Sequence, residues 1–472
     1  MSGPTHWTLV EAAEAVAARR ISAVELTRAC LARIERLQPQ LNCFIAVDGD
    51  AALEAAGAAD AALAAGGRGG APCPLHGVPL AHKDMFYRAG RVSTCGSGIL
   101  RETPAPHTAT VLERLDAAGA LELGRLNMAE FALGPTGHNA HFGPCRNPWH
   151  PEHVTGGSSS GSGSAVAARL VFGALGSDTG GSVRIPAGFC GLAGLKPTQG
   201  RVSRRGLMPL SFSLDQGGPL ARTVRDCARL LRVIAGPDPA DPTATAEPVP
   251  DYEATLEHGL RGLRVGVPRE SFEETATDEV RAALGAAREV LRGLGCELRE
   301  VNLPEIGRLQ DVANVIQSAE GAAVHRRWLA ERPQDYSPQV RRRLEPGLLI
   351  PAVRYLDALA LRGVLVERVL GEVFAQVDVL HVPTATLPAP TIAETDVGAG
   401  SGFRELLAEI ARCTRPINLL GLPALSVPMG FAAAGLPLGF QLVGRPFAEG
   451  LLLNLGHLYQ RETDWHMRAP SL

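Results

Sequence analysis

Lysine is almost absent from this chain of 472 residues. Only two of its 46 basic residues, Lys83 and Lys196, are lysines, and all the others are arginines. Arginine stays protonated in proteins, whereas a buried lysine can lose its proton and act as a neutral base. Each lysine is therefore a candidate for chemistry, with chance retention in an arginine-rich chain as the alternative interpretation.

Clusters of metal-binding residues are also lacking. The nine cysteines are scattered singly with no C-x-x-C pair, which argues against both a disulfide framework and a zinc site. The histidine pairs His138/His141 and His150/His153 fall in loops rich in Pro and Gly, which is typical of surface or pocket-wall positions. We therefore expect neither a metal nor a cofactor.

Strong charge and long apolar runs are missing as well. The net charge of −3 provides no electrostatic attraction to nucleic acid or to a membrane surface. No apolar run approaches the roughly 18 residues that a membrane span requires. The first eight residues, MSGPTHWT, do not resemble a signal peptide. We expect a cytoplasmic protein that binds neither nucleic acid nor membrane directly.

Predicted helices and strands alternate along the chain, which indicates an α/β fold. We expect one domain over residues 1–472, with N-terminal helices at about residues 8–65 packed on its core. The apolar run 75–81 is a predicted strand that leads into Lys83. This lysine would then lie at the carboxyl end of a strand, where α/β folds place their active sites.

Two turns dense in Gly and Ser lie between Thr155 and Gly191. Between them we predict a helix over 164–170 and a strand over 171–176, which would return the chain and make Ser158 and Ser182 neighbours. Two hydroxyls beside free backbone N–H groups suggest acyl transfer with an oxyanion site. Flexible connectors and phosphate-binding loops are the alternatives.

A formal G-x-S-x-G motif occurs in the first of these turns, over residues 157–161, and would make Ser159 the nucleophile of a strand–turn–helix elbow. That arrangement requires a preceding strand. The residues just before, 146–153, contain two prolines and no apolar run, so we do not favour this interpretation.

Several motifs together resemble those of the amidase signature family, over nearly the whole chain. The matching stretches are G-V-P through K-D at 77–84, G-R-L-N-M-A-E-F-A at 124–132, F-G-P with R-N-P at 142–148, G-G-S-S at 156–159, G-S-D-T-G-G-S-V-R-I-P-A at 176–187, G-L-K-P-T at 194–198 and L-L-G-L-P-A at 419–424.

The resemblance implies a single α/β/α layered domain around a mixed, mostly parallel sheet of about eleven strands. It implies hydrolysis of amide C–N bonds without a metal, through a triad of Ser182 as nucleophile, Ser158 as proton relay and Lys83 as base. The Gly157–Ser158 peptide bond is expected to be cis. Such enzymes act on linear amides rather than on peptide bonds.

The resemblance also assigns supporting residues. It implies an oxyanion site made by the backbone N–H groups of four residues, and a substrate pocket lined by three others. The oxyanion residues are Thr179, Gly180, Gly181 and Ser182, and the pocket residues are Ala132, Leu133 and Gly134. Asp178 and Arg184 are expected to support the loop, and Lys196 belongs to a structural motif rather than to the chemistry.

The first half is especially similar to the A subunit of glutamyl-/aspartyl-tRNA amidotransferase, which releases ammonia from glutamine. That subunit usually carries an acidic residue five positions before the proline of its T-x-P-x-N-L segment, and here that position is Ala411. The Tyr-Gly-Leu that usually follows Arg-Val-Ser-Arg is Arg-Gly-Leu at 205–207.

We therefore expect a stand-alone amidase acting on small amides, with aryl amides, anilides and carbamates among the candidate substrates. The glutaminase subunit is the alternative, and a catalytically silent binding subunit is a third hypothesis that the intact triad disfavours. The expected partner is a small-molecule amide. The sequence does not fix the oligomeric state, and a homodimer remains open.

Overall fold

A single mixed sheet of eleven strands runs through the computed structural model, which describes residues 3–66, 73–303, 305–396 and 403–472. In chain order the strands are β1 (Phe44–Val47), β2 (Pro79–Lys83), β3 (Leu121–Leu126), β4 (Gly173–Ser177), β5 (Ala193–Lys196), β6 (Gly217–Ala221), β7 (Arg264–Val267), β8 (Glu297–Glu300), β9 (Val379–Pro383), β10 (Ala424–Phe431) and β11 (Pro437–Gly444).

Helices cover the sheet. They are α1 (Leu9–Ala17), α2 (Ala23–Leu41), α3 (Gly49–Ala64), α4 (Thr110–Ala117), α5 (Ser160–Ala167), α6 (Arg184–Cys190), α7 (Val224–Ile234), α8 (Arg269–Phe272), α9 (Asp278–Gly293), α10 (Ile306–Glu331), α11 (Pro338–Leu344), α12 (Ala352–Arg368), α13 (Phe403–Ile410), α14 (Arg415–Leu420) and α15 (Glu449–Arg461). No helix in the described ranges is long and apolar enough to cross a membrane.

The strand order is β1-β3-β2-β4-β6-β5-β10-β11-β9-β7-β8. Parallel pairing occurs in two blocks, β3-β2-β4 and β9-β7-β8, one towards each end of the sheet. The strands between these blocks pair antiparallel, as does the edge strand β1. The expected eleven-stranded mixed sheet is confirmed, but its parallel character is confined to those two blocks.

The block β3-β2-β4 positions the candidate site. Strand β2 runs parallel to β4, with Ala81 opposite Ala174 and His82 opposite Leu175. The carboxyl ends of both strands therefore meet at one edge of the sheet, with Lys83 ending β2 and Ser177 ending β4. The prediction that Lys83 lies at the end of a strand is confirmed.

The N-terminal helices cover this part of the sheet with apolar side chains. Thr8 and Ser22 each close a capping box at the start of α1 and α2, so both helices begin where their sequences predict. Leu9, Val16 and Leu26 are fully buried in the large core cluster that also contains residues of β2 and β4. These helices thus shield from water the part of the sheet that supports the candidate site.

Candidate active site

Lys83 is fully buried at the end of β2 and contacts two serines. Its Nζ donates hydrogen bonds to Ser158 Oγ at 2.7 Å and to Ser177 Oγ at 2.8 Å. Burial lowers the pKa of Lys83 to about 7, although the charges of Asp178 and Asp215 oppose that shift. A substantial fraction of this amine is therefore neutral near pH 7 and can accept a proton.

Ser158 lies in the first Gly/Ser turn, and the peptide bond between Gly157 and Ser158 is cis, as expected. The side chain of Ser158 is fully buried, with Lys83 on one side. The N–H of the next residue, Ser159, donates to the carbonyl oxygen of Ser182 at 3.3 Å, so the two turns touch. Two residues 23 positions apart in sequence are thus in contact, as the predicted helix–strand return requires.

Ser159 does not have the environment of an exposed nucleophile. It is fully buried, and its Oγ donates to the carbonyl oxygen of Ser177 at 3.2 Å. No strand precedes it, because residues 155–156 are irregular and residues 157–159 form bends that lead into α5. Ser182, in contrast, is partly exposed at the tip of the second turn. The geometry therefore disfavours the elbow interpretation.

Asp178 organises the turn that carries Ser182. Its carboxylate accepts hydrogen bonds from the N–H of Gly181 at 2.7 Å and of Val183 at 3.1 Å, and from the Arg184 guanidinium. The positive charge of Arg184 holds the pKa of Asp178 well below its usual range, even though burial favours the neutral acid. A permanently ionised carboxylate thus fixes the loop, which is the supporting role expected for both residues.

Not all of the four backbone N–H groups expected to form an oxyanion site are free to donate a hydrogen bond to a substrate. That of Gly181 already donates to Asp178, while those of Thr179, Gly180 and Ser182 make no recorded hydrogen bond within the described part of the chain. The Thr179 hydroxyl donates to Asp215 Oδ1 at 2.5 Å, which holds the start of the turn. Three donors therefore remain beside Ser182.

Of the three residues expected to line the pocket, Ala132, Leu133 and Gly134, Gly134 lies next to the cis peptide. A Cβ placed on Gly157 would come within 2.7 Å of the Gly134 carbonyl oxygen, so this close approach needs glycine. Leu133 also lines a cavity of about 360 Å³ together with residues of α11. All three residues are buried, and Ala132 has a positive φ of 61°.

The second lysine serves a different purpose. Lys196 is fully buried in β5, where its Nζ donates to Gln216 Oε1 at 2.7 Å and to the Pro197 carbonyl oxygen at 3.0 Å. Burial, with help from the charge of Arg184, lowers its pKa. Both of its recorded partners are amide oxygens rather than hydroxyls, so neither of them can pass on a proton.

Sequence reasoning missed Ser177 and Arg415. Ser177 is part of the G-S-D-T-G-G-S motif and lies two residues after the middle of β4. This position could have been used to predict that Ser177 lies opposite Lys83. Arg415 begins α14, more than 230 positions along the chain from the loop that it approaches. A Cβ on Gly180 would lie 3.6 Å from Arg415 Nε. No local sequence pattern predicts that contact.

Comparisons with known proteins find relatives over nearly the whole chain. The family model described as Amidase matches residues 25–453. The A subunit of the glutamyl-tRNA(Gln) amidotransferase of Roseiflexus sp. (strain RS-1) is 46% identical over 98% of each chain.

Two solved structures share the fold over nearly the whole chain. One, from a vestigial protein complex described as revealing the evolutionary origins of an s-triazine catabolic enzyme, is 36% identical with a TM-score of 0.90, covering 97% of this chain and 98% of that one. The other is the A subunit of the glutamyl-tRNA(Gln) amidotransferase of Thermotoga maritima, 33% identical with a TM-score of 0.81, covering 98% and 96%.

Proposed function

This chain belongs to the amidase signature family of hydrolases that act on C–N bonds, and we propose that it releases ammonia from a small primary amide through an acyl-enzyme on Ser182. The observation that carries the proposal is the 2.7 Å hydrogen bond between Lys83 Nζ and Ser158 Oγ, made by a lysine whose pKa burial lowers to about 7. A neutral amine at that position can draw a proton through Ser158 from a nucleophile beyond it.

The first half of the reaction forms an ester. Ser182 Oγ attacks the amide carbonyl carbon while its proton passes to Ser158 Oγ, and the proton of Ser158 passes to Lys83 Nζ. The tetrahedral intermediate then breaks its C–N bond, and Lys83 returns the proton through Ser158 to the departing nitrogen. Ammonia leaves, and the acyl group remains on Ser182.

The second half hydrolyses that ester by the same route. Water attacks the acyl carbon and gives a proton to the relay, and the proton then returns to Ser182 Oγ as its bond to carbon breaks. The product is a carboxylic acid. In both halves the carbonyl oxygen carries negative charge, and we assign its stabilisation to the N–H groups of Thr179, Gly180 and Ser182.

The choice of amide separates two candidate functions. The full-length similarity to A subunits, at 46% identity for the Roseiflexus protein, favours glutamine as substrate over a general small amide. The opposing observation is Ala411, a buried apolar residue at the position where the A subunit usually carries an acid. A stand-alone amidase therefore remains the second candidate.

The test measures ammonia release by the purified protein from glutamine and from a panel of small amides, anilides and carbamates. We expect release from at least one primary amide, and modification of Ser182 by a serine-directed fluorophosphonate. Labelling at Ser159 instead would support the elbow interpretation. Absence of both turnover and labelling would make a silent binding protein the best account.

A further inference from the structure

The peptide unit between Gly180 and Gly181, just before Ser182, is held from both sides. Its carbonyl oxygen, on Gly180, accepts a hydrogen bond from the Thr414 hydroxyl at 2.7 Å. Its N–H, on Gly181, donates to Asp178 Oδ1 at 2.7 Å. The C=O and N–H of a trans peptide point in opposite directions, so Thr414 and Asp178 together fix the plane of this unit.

In the units on either side, the carbonyl is held and the N–H is left for a ligand. The carbonyl oxygen of Gly181 accepts from the N–H of Ile185 at 2.7 Å. The carbonyl oxygen just before Thr179 accepts from Asn418 Nδ2 at 3.0 Å. The N–H groups of Ser182 and Thr179 therefore point away from the protein donors that hold these carbonyls. Both are among the three donors assigned to the oxyanion site.

The Thr414 hydroxyl has two acceptors, and the one in the loop is the nearer. Thr414 is fully buried just before the first residue of α14, and its Oγ1 lies 3.3 Å from the carbonyl oxygen of Ala411, three residues back. The bond to Gly180, at 2.7 Å, is shorter, so the hydroxyl serves the loop more than its own segment. A Cβ on Gly181 would overlap with this hydroxyl, so the close approach needs glycine there.

The segment that carries Thr414 is itself anchored. Asn418, one helical turn further along, donates through Nδ2 to Asp178 Oδ1 at 2.8 Å. Arg184 Nη2 donates to the Thr414 carbonyl oxygen at 3.1 Å and to Asn418 Oδ1 at 2.5 Å. The Thr414 hydroxyl thus projects from a fixed support and can set the orientation of the backbone that it contacts.

We propose that Thr414 is a positioning residue for the oxyanion site: by holding the Gly180 carbonyl, it keeps the N–H groups of Gly180 and Ser182 turned towards the carbonyl oxygen of the substrate. This inference rests on the proposed function and adds a residue to it. Preorganised donors matter most where charge develops in the transition state. Loss of the hydroxyl should therefore slow the chemical step and leave substrate binding nearly unchanged.

Two substitutions at position 414 separate the hydroxyl from the shape of the side chain. Thr414→Val keeps the shape and removes the hydroxyl, whereas Thr414→Ser keeps the hydroxyl and removes a methyl group. We expect Thr414→Val to lower kcat for ammonia release by about 10- to 100-fold with KM within about threefold, because removing an oxyanion donor outright costs about 10²- to 10³-fold. Thr414→Ser should stay within about threefold of wild type in kcat.

Thr386→Val is the matched control. Thr386 is also fully buried, and its hydroxyl donates over the same distance, 2.7 Å, but to Glu409 Oε1. Both valine variants should lower the melting temperature, because each leaves a buried acceptor without its donor. Only Thr414→Val should lower kcat, and Thr386→Val should stay within about twofold of wild type. An equal loss of kcat in the two variants would reduce Thr414 to a packing role and overturn the inference.

Labelling by a fluorophosphonate gives a readout that does not depend on which amide is the substrate. Ser182 Oγ forms a bond to phosphorus, the P–F bond breaks and fluoride leaves, the serine proton passes to Ser158, and the phosphoryl oxygen occupies the oxyanion site. We expect Thr414→Val to slow this second-order reaction at least tenfold and Thr414→Ser to restore it.

Two results would overturn the inference. One is labelling and turnover by Thr414→Val at the wild-type rate, and the other is a Thr414→Ser variant as slow as Thr414→Val. The proposed function fails separately, if the unaltered enzyme releases ammonia from no amide and its Ser182 resists the fluorophosphonate. Labelling without turnover of the panel still decides the role of Thr414, because the rate of that reaction is compared directly among the variants.

Discussion

The two lysines of this chain occupy similar depths and different surroundings. Lys83 and Lys196 each end a strand of the same sheet, each is fully buried, and burial lowers the pKa of both. Lys83 donates to two serine hydroxyls, whereas Lys196 donates to two amide oxygens. The first set of partners can exchange protons and the second cannot.

Burial alone therefore does not make a lysine a base. A hydroxyl can accept a proton on one side while donating another. Ser158, which accepts a hydrogen bond from Lys83, is followed by Ser159, whose N–H donates to the carbonyl oxygen of Ser182. Lys196 instead joins the end of β5 to the segment before β6, where it lies near the charges of Asp178 and Glu449. We therefore propose that the same residue type serves chemistry at one position and packing at the other. Four substitutions test this comparison.

Ser182→Ala should have the largest effect. It removes the attacking oxygen while leaving the Lys83–Ser158 hydrogen bond in place. We expect the rate of ammonia release to fall by about four powers of ten or more, with an unchanged melting temperature. A variant that kept more than about a hundredth of wild-type activity would show that another group attacks the amide.

Lys83→Arg should be nearly as damaging as Lys83→Ala. A guanidinium keeps the positive charge but does not take up a proton, so both variants lose the base, at a cost of about 10²- to 10⁴-fold in kcat/KM. The measurement is the ratio between the two variants. If Lys83→Arg retained much of the wild-type rate, Lys83 would act as a fixed charge rather than as a base.

Ser177→Ala should have a moderate effect, about tenfold in kcat/KM. The Ser177 hydroxyl accepts a hydrogen bond from Lys83 Nζ, and such a bond stabilises the ammonium form more than the neutral amine. Its loss should therefore lower the pKa seen in the pH–rate profile and loosen the orientation of the amine. An unchanged pKa and rate would mean that Ser177 only fills space.

Lys196→Met should have the smallest effect on chemistry. The substitution leaves Gln216 Oε1 and the Pro197 carbonyl oxygen without their donor, which costs about 1–3 kcal/mol of the free energy of unfolding. We expect a lower melting temperature and a kcat/KM within about threefold of wild type. A loss of activity as large as that of the Lys83 variants would remove the distinction between the two lysines.

The local motifs allow part of this arrangement to be predicted. The end of β2 at Lys83 and the approach of the two Gly/Ser turns can be inferred from residues 77–84 and 155–191, whereas the cis bond before Ser158 is implied only by the family resemblance. The sequence of strand β6, GGPLA, instead predicts a turn, because it contains two glycines and a proline. In the structure it lies fully buried between β4 and β5, where Pro219 faces Leu175 in the ladder.

The substrate side of the site could not be predicted in the same way. The bond between Thr414 and Gly180 joins positions 234 apart, and nothing in either segment specifies the other. The missing acid at position 411 is visible in the sequence, but the arginine that instead approaches the loop is not. Contacts of this range depend on how α10, α11 and α14 pack over the second turn, which a single sequence does not reveal.

The pH dependence of kcat/KM tests the central claim most directly, that Lys83 rather than Lys196 is the proton-accepting lysine. Because the pKa of Lys83 is lowered to about 7, its neutral, active form is lost below that value and prevails above it. We predict a single rising limb with an apparent pKa near 7, retained in Lys196→Met and absent from Lys83→Arg. A limb that disappears in Lys196→Met, or that persists in Lys83→Arg, would contradict the account.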